Sequence, residues 1–157
     1  MGMYRTITYD GKNYNFKASA GTDLLYKRLF KVDLDVVFKN TFMGLGDIDA
    51  SQVLKEAMEV RELPNDDPEK IRKGLELISA NPEIFNMRSK FVEFAKSFGF
   101  ITYLEANNEP KDINKYLTVE EYTLFLMGFD GKFFSENTDV FRSLYEENMS
   151  QGSTAKN

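Results

Sequence analysis

The chain of 157 residues contains no cysteine, no histidine and no tryptophan. Without cysteine there are no disulfides and no thiol nucleophiles, and without cysteine and histidine a zinc site lacks its usual ligands. Catalytic triads and general bases that depend on histidine are excluded as well. Aspartate, glutamate, lysine, tyrosine, serine and threonine remain, so catalysis is not forbidden, but the usual routes to it are narrowed. We expect no cofactor and no bound metal.

Excess positive charge and long apolar runs are also missing. The net charge is -5 and the pI is about 4.9, which disfavours nucleic-acid binding because that binding needs a basic surface. No apolar run reaches the length of about 20 residues that spans a bilayer, so we expect no membrane partner. Polar residues from Arg5 onward are not typical of a secretory signal, which leaves an intracellular setting as the default expectation.

The first two residues allow two interpretations. Gly2 and Thr6 match the pattern of N-terminal myristoylation. Met1 and Gly2 ahead of Met3 fit an added expression start better, and that is the interpretation we favour.

The chain begins with a predicted β-hairpin, in residues 4–9 and 12–18. Asp10-Gly11 is a typical two-residue turn of type I′, which needs positive φ at both positions. Tyr14 and Phe16 lie on one face because side chains alternate along a strand. A lone hairpin is unstable in water, so the helix predicted from Thr22, its N-cap, should cover it or the hairpin should pack elsewhere. Leu25 and Phe30 are the residues we expect on the sheet.

The rest of the chain predicts helices, which makes the fold α+β, with a hairpin packed against a mostly helical domain over residues 1–149. Residues 150–157 carry almost no apolar side chain and predict a disordered tail. Caps, prolines and apolar spacing predict where the helices lie. One covers residues 34–42, and a second runs from residue 49 or 51 to residue 61 or 62. The others start at residue 67 or 68, at residue 82 (to about 106), at residue 118, and at residue 137 or 138 (to 148).

Two of the middle helices carry apolar stripes that we expect to face the core. The inward residues are predicted to be Val53, Leu54, Ala57, Met58 and Val60 in the first, and Ile71, Leu75 and Ile78 in the second.

The aromatic content of 14% exceeds what one small core needs, which suggests a protein interface. Apolar residues near the end of the long helix from Pro82 point in several directions, and Gly99 there leaves a break or a short strand open. The same residues could equally complete the core. The predicted partner-binding residues are Phe98, Phe100, Tyr103, Leu104, Phe133 and Phe134.

Three motifs fall short of a chemical site. The stretch from Asp47 to Ser51 resembles a calcium loop but has neither the glycine nor the glutamate that the loop needs later. The stretch from Gly128 to Lys132 lacks the spacing of a phosphate loop. The acid pairs at Asp66 and Glu120 stand at helix starts, where acids complement the helix dipole.

Both ends of the chain resemble one family. Residues 16–22 (FKASAGT), followed by Leu25-Tyr26-Lys27, Phe30 and Asp33, look like the N-terminal signature of tail assembly chaperones from long-tailed phages and prophages of Gram-positive bacteria. Residues at the other end are similar to that family's closing helix and tail: Leu144, Tyr145, Asn148, Ser153, Thr154 and Lys156. Lys27 and Lys31 depart from the family pattern, and residues 41–134 do not align with it.

The resemblance implies a non-enzymatic factor that binds the tape measure protein, keeps that helical chain soluble and helps tail tube protein polymerise around it. It also implies action in the host cytoplasm, absence from the finished virion and, in some members, a longer product made by frameshifting. Self-association is a further expectation. The rivals are an adaptor or tail-completion component that stays in the particle and, less favoured, a carboxylate-based or metal-dependent hydrolase.

Overall fold

The structure is a computed structural model that describes residues 2–43 and 51–155, with side-chain surroundings described as far as residue 150. Two strands are followed by helices, which confirms the predicted α+β fold with an N-terminal hairpin. The elements are β1 (Met3–Tyr9), β2 (Lys12–Ala18), α1 (Thr22–Phe30), α2 (Leu34–Phe38), a π-helical turn (Lys39–Met43), α3 (Ser51–Arg61), α4 (Pro68–Ala80), α5 (Pro82–Asn107), a 3-10 turn (Pro110–Asp112), α6 (Ile113–Tyr116), α7 (Val119–Met127), α8 (Gly131–Glu136) and α9 (Thr138–Ala155).

The hairpin forms as predicted. Strands β1 and β2 are antiparallel, and Tyr9 pairs with Lys12 next to the turn. Asp10 and Gly11 have φ angles of 49° and 76°, the positive values that a type I′ turn requires. The turn chemistry therefore sets the register of the sheet.

The sheet packs chiefly on α5 and α9, not on α1. Phe16 is fully buried, and its ring meets the ring of Phe141 on α9 edge-on at a centroid distance of 5.0 Å. Phe30, expected on the sheet, contacts Tyr26 and Tyr122 instead, the latter at 5.1 Å. Helix α1 packs on α5 and α2, so the hairpin is stabilised by the two longest helices.

Helix α5 is continuous for 26 residues, about 39 Å, without a break at Gly99. A Cβ atom at Gly99 would lie 3.3 Å from the ring of Phe141. Glycine is therefore needed here for the close approach of α9 to α5, not for a bend. The alternative of a break or strand at this position is wrong.

A single aromatic cluster forms the core of the described residues. Rings of Phe94 and Phe98 stack at 5.1 Å, and Phe38 stacks on Tyr145 at 4.2 Å. The cluster takes side chains from the sheet, α1, α2, the π-helical turn, α5 from Phe91 onward, and α6 to α9, and none from α3 or α4. We call these elements the body, and we call helices α3 and α4, with their connection, the arm.

Some predicted helix ends are confirmed and others are wrong. The Thr118 and Asp67 side chains accept hydrogen bonds from the N–H groups of Glu121 and Glu69, as N-caps do. Thr22 is the first residue of α1 and does not cap it. Helix α9 continues to Ala155, so a disordered tail from residue 150 is wrong as far as residue 155. The predictions at Asp47, Asp49 and residues 156–157 lie outside the described residues.

Candidate functional site

The arm consists of two helices that run antiparallel. The Lys70 ammonium on α4 donates hydrogen bonds to the carbonyl oxygens of Arg61 and Leu63 at the end of α3, each at 3.1 Å. A Cβ atom built on Gly74 would lie 3.8 Å from Cγ1 of Val60. These contacts show that the start of α4 lies beside the end of α3, with Val60 and Gly74 at the seam between them.

One broad side of the arm carries a charged groove of about 580 Å³. Its walls include Glu56 and Glu59 from α3 and Lys73 and Glu76 from α4. Because each residue turns a helix by about 100°, these positions lie on the same side of the seam in both helices.

The opposite side of the arm is apolar and open to solvent. Its positions lie about 80–140° around each helix from the seam, turned away from the groove. Their exposed fractions range from 47% to 69%, so neighbouring residues do not cover them. We call this set the apolar face; it consists of Leu54, Met58, Ile71, Leu75 and Ile78.

The apolar face corrects the sequence prediction that these five side chains point into the core. Of the predicted inward residues on the arm, Val53 is buried, and Ala57 and Val60 are half-buried at the seam. Helix α4 contains no buried residue at all. The core cluster draws its side chains from the body alone, so this second stripe of the arm is not part of the core.

Apolar patches of this kind mark protein-binding sites, because a soluble monomer rarely leaves contiguous apolar side chains exposed. The side chains are spaced i, i+4 on α3 and i, i+4, i+7 on α4, which gives two adjacent ridges. Two such ridges form a surface on which an amphipathic helix can lie.

The predicted partner-binding residues are in a different place. Tyr103 is half-buried, with its ring 5.2 Å from that of Phe125. The other five are buried, which corrects the prediction that they contact a partner: Phe98, Phe100, Leu104, Phe133 and Phe134. The cause is that β2, α1, α7, α8 and α9 all pack around the second half of α5. The alternative, that these residues complete the core, is therefore confirmed for the five.

A second concavity, of about 810 Å³, lies beside α5 and is lined by residues including Phe30, Val37 and Phe94. The Tyr26 hydroxyl shares a hydrogen bond of 2.9 Å with the Ser97 hydroxyl in its wall. Burial raises the pKa of Tyr26 and of Tyr122, so both phenols are neutral at physiological pH. The concavity thus offers apolar contact and neutral hydroxyls.

The most buried acid of the body, Glu105, has a structural environment. Its two carboxylate oxygens accept hydrogen bonds from the hydroxyls of Ser19 and Thr22, each at 2.5 Å. The Asn148 amide on α9 donates to the Ser19 carbonyl oxygen at 3.1 Å. Burial raises the pKa of Glu105, against the opposing effect of the two hydroxyl donors. This network fixes the turn between β2 and α1 to helices α5 and α9.

The other acids of the described residues do not gather into a metal-binding cluster. Within residues 2–43 and 51–155, no group of three or more carboxylates is arranged to hold a metal ion. Asp67 caps α4, while Glu120 is exposed and Glu121 is half-buried at the start of α7. None of the helices in the same described ranges combines the length and the apolarity that crossing a membrane requires.

Helix α7 carries a second group of exposed apolar side chains. Val119 and Leu124 are 70% and 60% exposed, which is close to the 69% and 61% of Ile71 and Leu75 on the arm. Unlike the arm, α7 contributes the buried Phe125 to the core. Val119 and Leu124 therefore serve as a reference for the apolar face that is matched in exposure.

Sequence reasoning missed the apolar face because periodicity reports an amphipathic helix without reporting what covers it. One signal was available: α4 combines Leu77 at the seam with the stripe of Ile71, Leu75 and Ile78 on another side, which is more apolar surface than one neighbour covers.

No protein-family model, no curated protein and no solved structure matches this chain.

Proposed function

We propose that the protein is a non-enzymatic chaperone of phage tail assembly, which binds the tape measure protein and promotes assembly of tail tube protein around it. It acts in the cytoplasm of the host cell and is absent from the mature virion. In this proposal the arm captures apolar helical segments, and the body is the scaffold that carries the arm.

The observation that carries the proposal is the apolar face. Along α4, from Ile71 to Ile78, it extends about 10 Å, or two helical turns, and α3 adds a second ridge beside it. A chaperone for a long helical protein needs such a surface because the exposed stripe of an unassembled helix otherwise aggregates. An amphipathic helix in an apolar groove is an established mode of recognition.

The resemblance at the two ends of the chain supports the same class, in a different way. Its matching positions Phe16, Ala18, Thr22 and Tyr26 are all buried in the body. They therefore specify the scaffold, whereas the apolar face lies in the part of the chain that the resemblance does not cover.

Co-expression tests the proposal. The tape measure protein that the proposal assigns as partner is expressed with the wild-type chain, with Ile71→Asp/Leu75→Asp, or with the matched control Val119→Asp/Leu124→Asp. We expect the wild type and the control to raise the soluble yield of the tape measure protein and to co-purify with it. The arm variant should do neither, because two charges on the apolar face oppose its burial.

An equal yield with all three chains would contradict a role for the apolar face, and no gain with any chain would contradict the function. Recovery of the chain from purified phage particles would favour the rival, a structural component of the tail.

A further inference from the structure

The charges beside the apolar face are mostly positive, although the chain as a whole carries a net charge of -5. Helical geometry places Lys55, Arg61 and Arg72 next to the apolar side chains, with Glu62 as the acid closest to them. The acids Glu56, Glu59 and Glu76 lie toward the groove on the other side of the arm. The rim of the apolar face, defined by Lys55, Arg61, Glu62 and Arg72, therefore has an excess of positive charge.

Two of these cations have no acidic partner among the described residues. Arg72 forms ion pairs with Glu69 and with Glu76, the latter at 2.8 Å. Lys55 and Arg61, in contrast, form no ion pair with any residue in the described ranges. Both are exposed. Their charges are therefore available to a molecule that lies on the apolar face.

We propose that the apolar face binds an amphipathic helix whose apolar stripe is flanked by aspartate or glutamate, with Lys55 and Arg61 pairing with those acids. The inference rests on the proposed function and adds the charge of the segment that is bound. Leu54, Met58, Ile71, Leu75 and Ile78 supply the affinity, and the two cations select acidic flanks over basic ones.

The same charges disfavour a second copy of this chain as the occupant. A symmetric pairing of two apolar faces brings the two rims together, since each copy contributes the same surface. The unpaired cations Lys55 and Arg61, which outnumber Glu62 on each rim, then repel their copies across the contact. A helix with acidic flanks meets no such repulsion.

Two synthetic peptides test the inference. Each is a labelled helix of about 20 residues with an identical leucine stripe, flanked by glutamate in one and by lysine in the other. Binding to the full chain is measured by fluorescence anisotropy at low and at high salt. We expect the glutamate peptide to bind about tenfold more tightly at low salt, and the difference to shrink as salt screens the rim charges.

Charge reversal shows whether the rim causes the preference for the glutamate peptide. Lys55→Glu/Arg61→Glu should remove the preference for the glutamate peptide or reverse it. The control Lys12→Glu/Lys73→Glu changes the net charge equally, at the hairpin turn and on the groove side of α4, and should keep the preference. Ile71→Asp/Leu75→Asp should abolish the binding of both peptides.

Several results would overturn the inference: equal affinity for both peptides, tighter binding of the lysine peptide, no binding of either, or a preference unaffected by Lys55→Glu/Arg61→Glu. A stable dimer in sedimentation that Ile71→Asp/Leu75→Asp dissociates would assign the face to a second copy. If the tape measure protein were still solubilised through the face in co-expression, the charge inference alone would fail and the proposed function would stand.

Discussion

Phe98 in the body has no exposed surface, whereas Ile71 on the arm is 69% exposed, although both lie on helices with an apolar stripe. In the body, such stripes meet one another, and rings from α2, α5, α8 and α9 pack at centroid distances of 4.2 to 5.1 Å. On the arm, one stripe forms the seam and the other stays open. An amphipathic pattern therefore shows that a helix has an apolar side, and the rest of the chain decides whether that side is covered.

The difference has an energetic consequence. Burying a large apolar side chain contributes about 1.5–3 kcal/mol, which the body gains on folding. The open side chains of the arm gain little of this when the chain folds. The same free energy is available when a partner covers them. The apolar side chains of the arm therefore stabilise a complex, whereas those of the body stabilise the fold.

The largest expected effect separates body and arm directly. Phe98→Ala removes a fully buried ring and should lower the free energy of unfolding by about 3–5 kcal/mol. Ile71→Ala should change it by less than about 0.5 kcal/mol, because the side chain is already in water. Urea unfolding followed by circular dichroism measures both. A loss of several kcal/mol for Ile71→Ala would show that the arm belongs to the core.

A pair of helix glycines sharpens the comparison. Gly74→Ala on the arm should stabilise by about 1 kcal/mol, since the nearest atom to the new Cβ is 3.8 Å away and alanine favours helix. Gly99→Ala in the body should destabilise by about 1 kcal/mol, because the new Cβ meets the Phe141 ring at 3.3 Å and that ring is fully buried. Thermal and urea unfolding of both variants provide the test. Equal gains would mean that α5 and α9 can move apart.

The smallest expected effect is a pH dependence that belongs to the body. Burial raises the pKa of Glu105 above its usual 4.5. At a pH between the pKa of the unfolded chain and that of the folded chain, the folded chain therefore keeps a proton that the unfolded chain has released. Stability should therefore fall as pH rises through the folded pKa. Relative to Glu105→Gln, which does not titrate, the wild-type free energy of unfolding should decrease as the pH rises above the usual pKa of 4.5. An increase over this range would mean that the hydroxyl donors outweigh burial.

The predictable parts of the fold depend on local chemistry. Asp10-Gly11 sets its turn through backbone angles, and Asp67-Pro68 and Thr118 start helices through their own side chains, so the sequence alone places these elements. Burial depends on distant residues. Nothing near Phe100 in sequence shows that other elements of the body pack around it, and nothing near Ile71 shows that its side stays uncovered. The sequence prediction therefore assigned core residues to a partner interface and residues of the apolar face to the core, although it placed most helices correctly.

The central claim is that the arm binds the partner and the body is the scaffold that carries the arm. Two methionines allow the most direct test of it. The Met58 side chain on the apolar face is 64% exposed and that of Met127 on α7 is 75% exposed, so their methyl groups begin in similar surroundings. Methyl NMR spectra recorded while soluble tape measure protein is added compare the two in one sample. We predict that the Met58 signal shifts or broadens while the Met127 signal stays unchanged. Perturbation of Met127 with Met58 unchanged would contradict the claim.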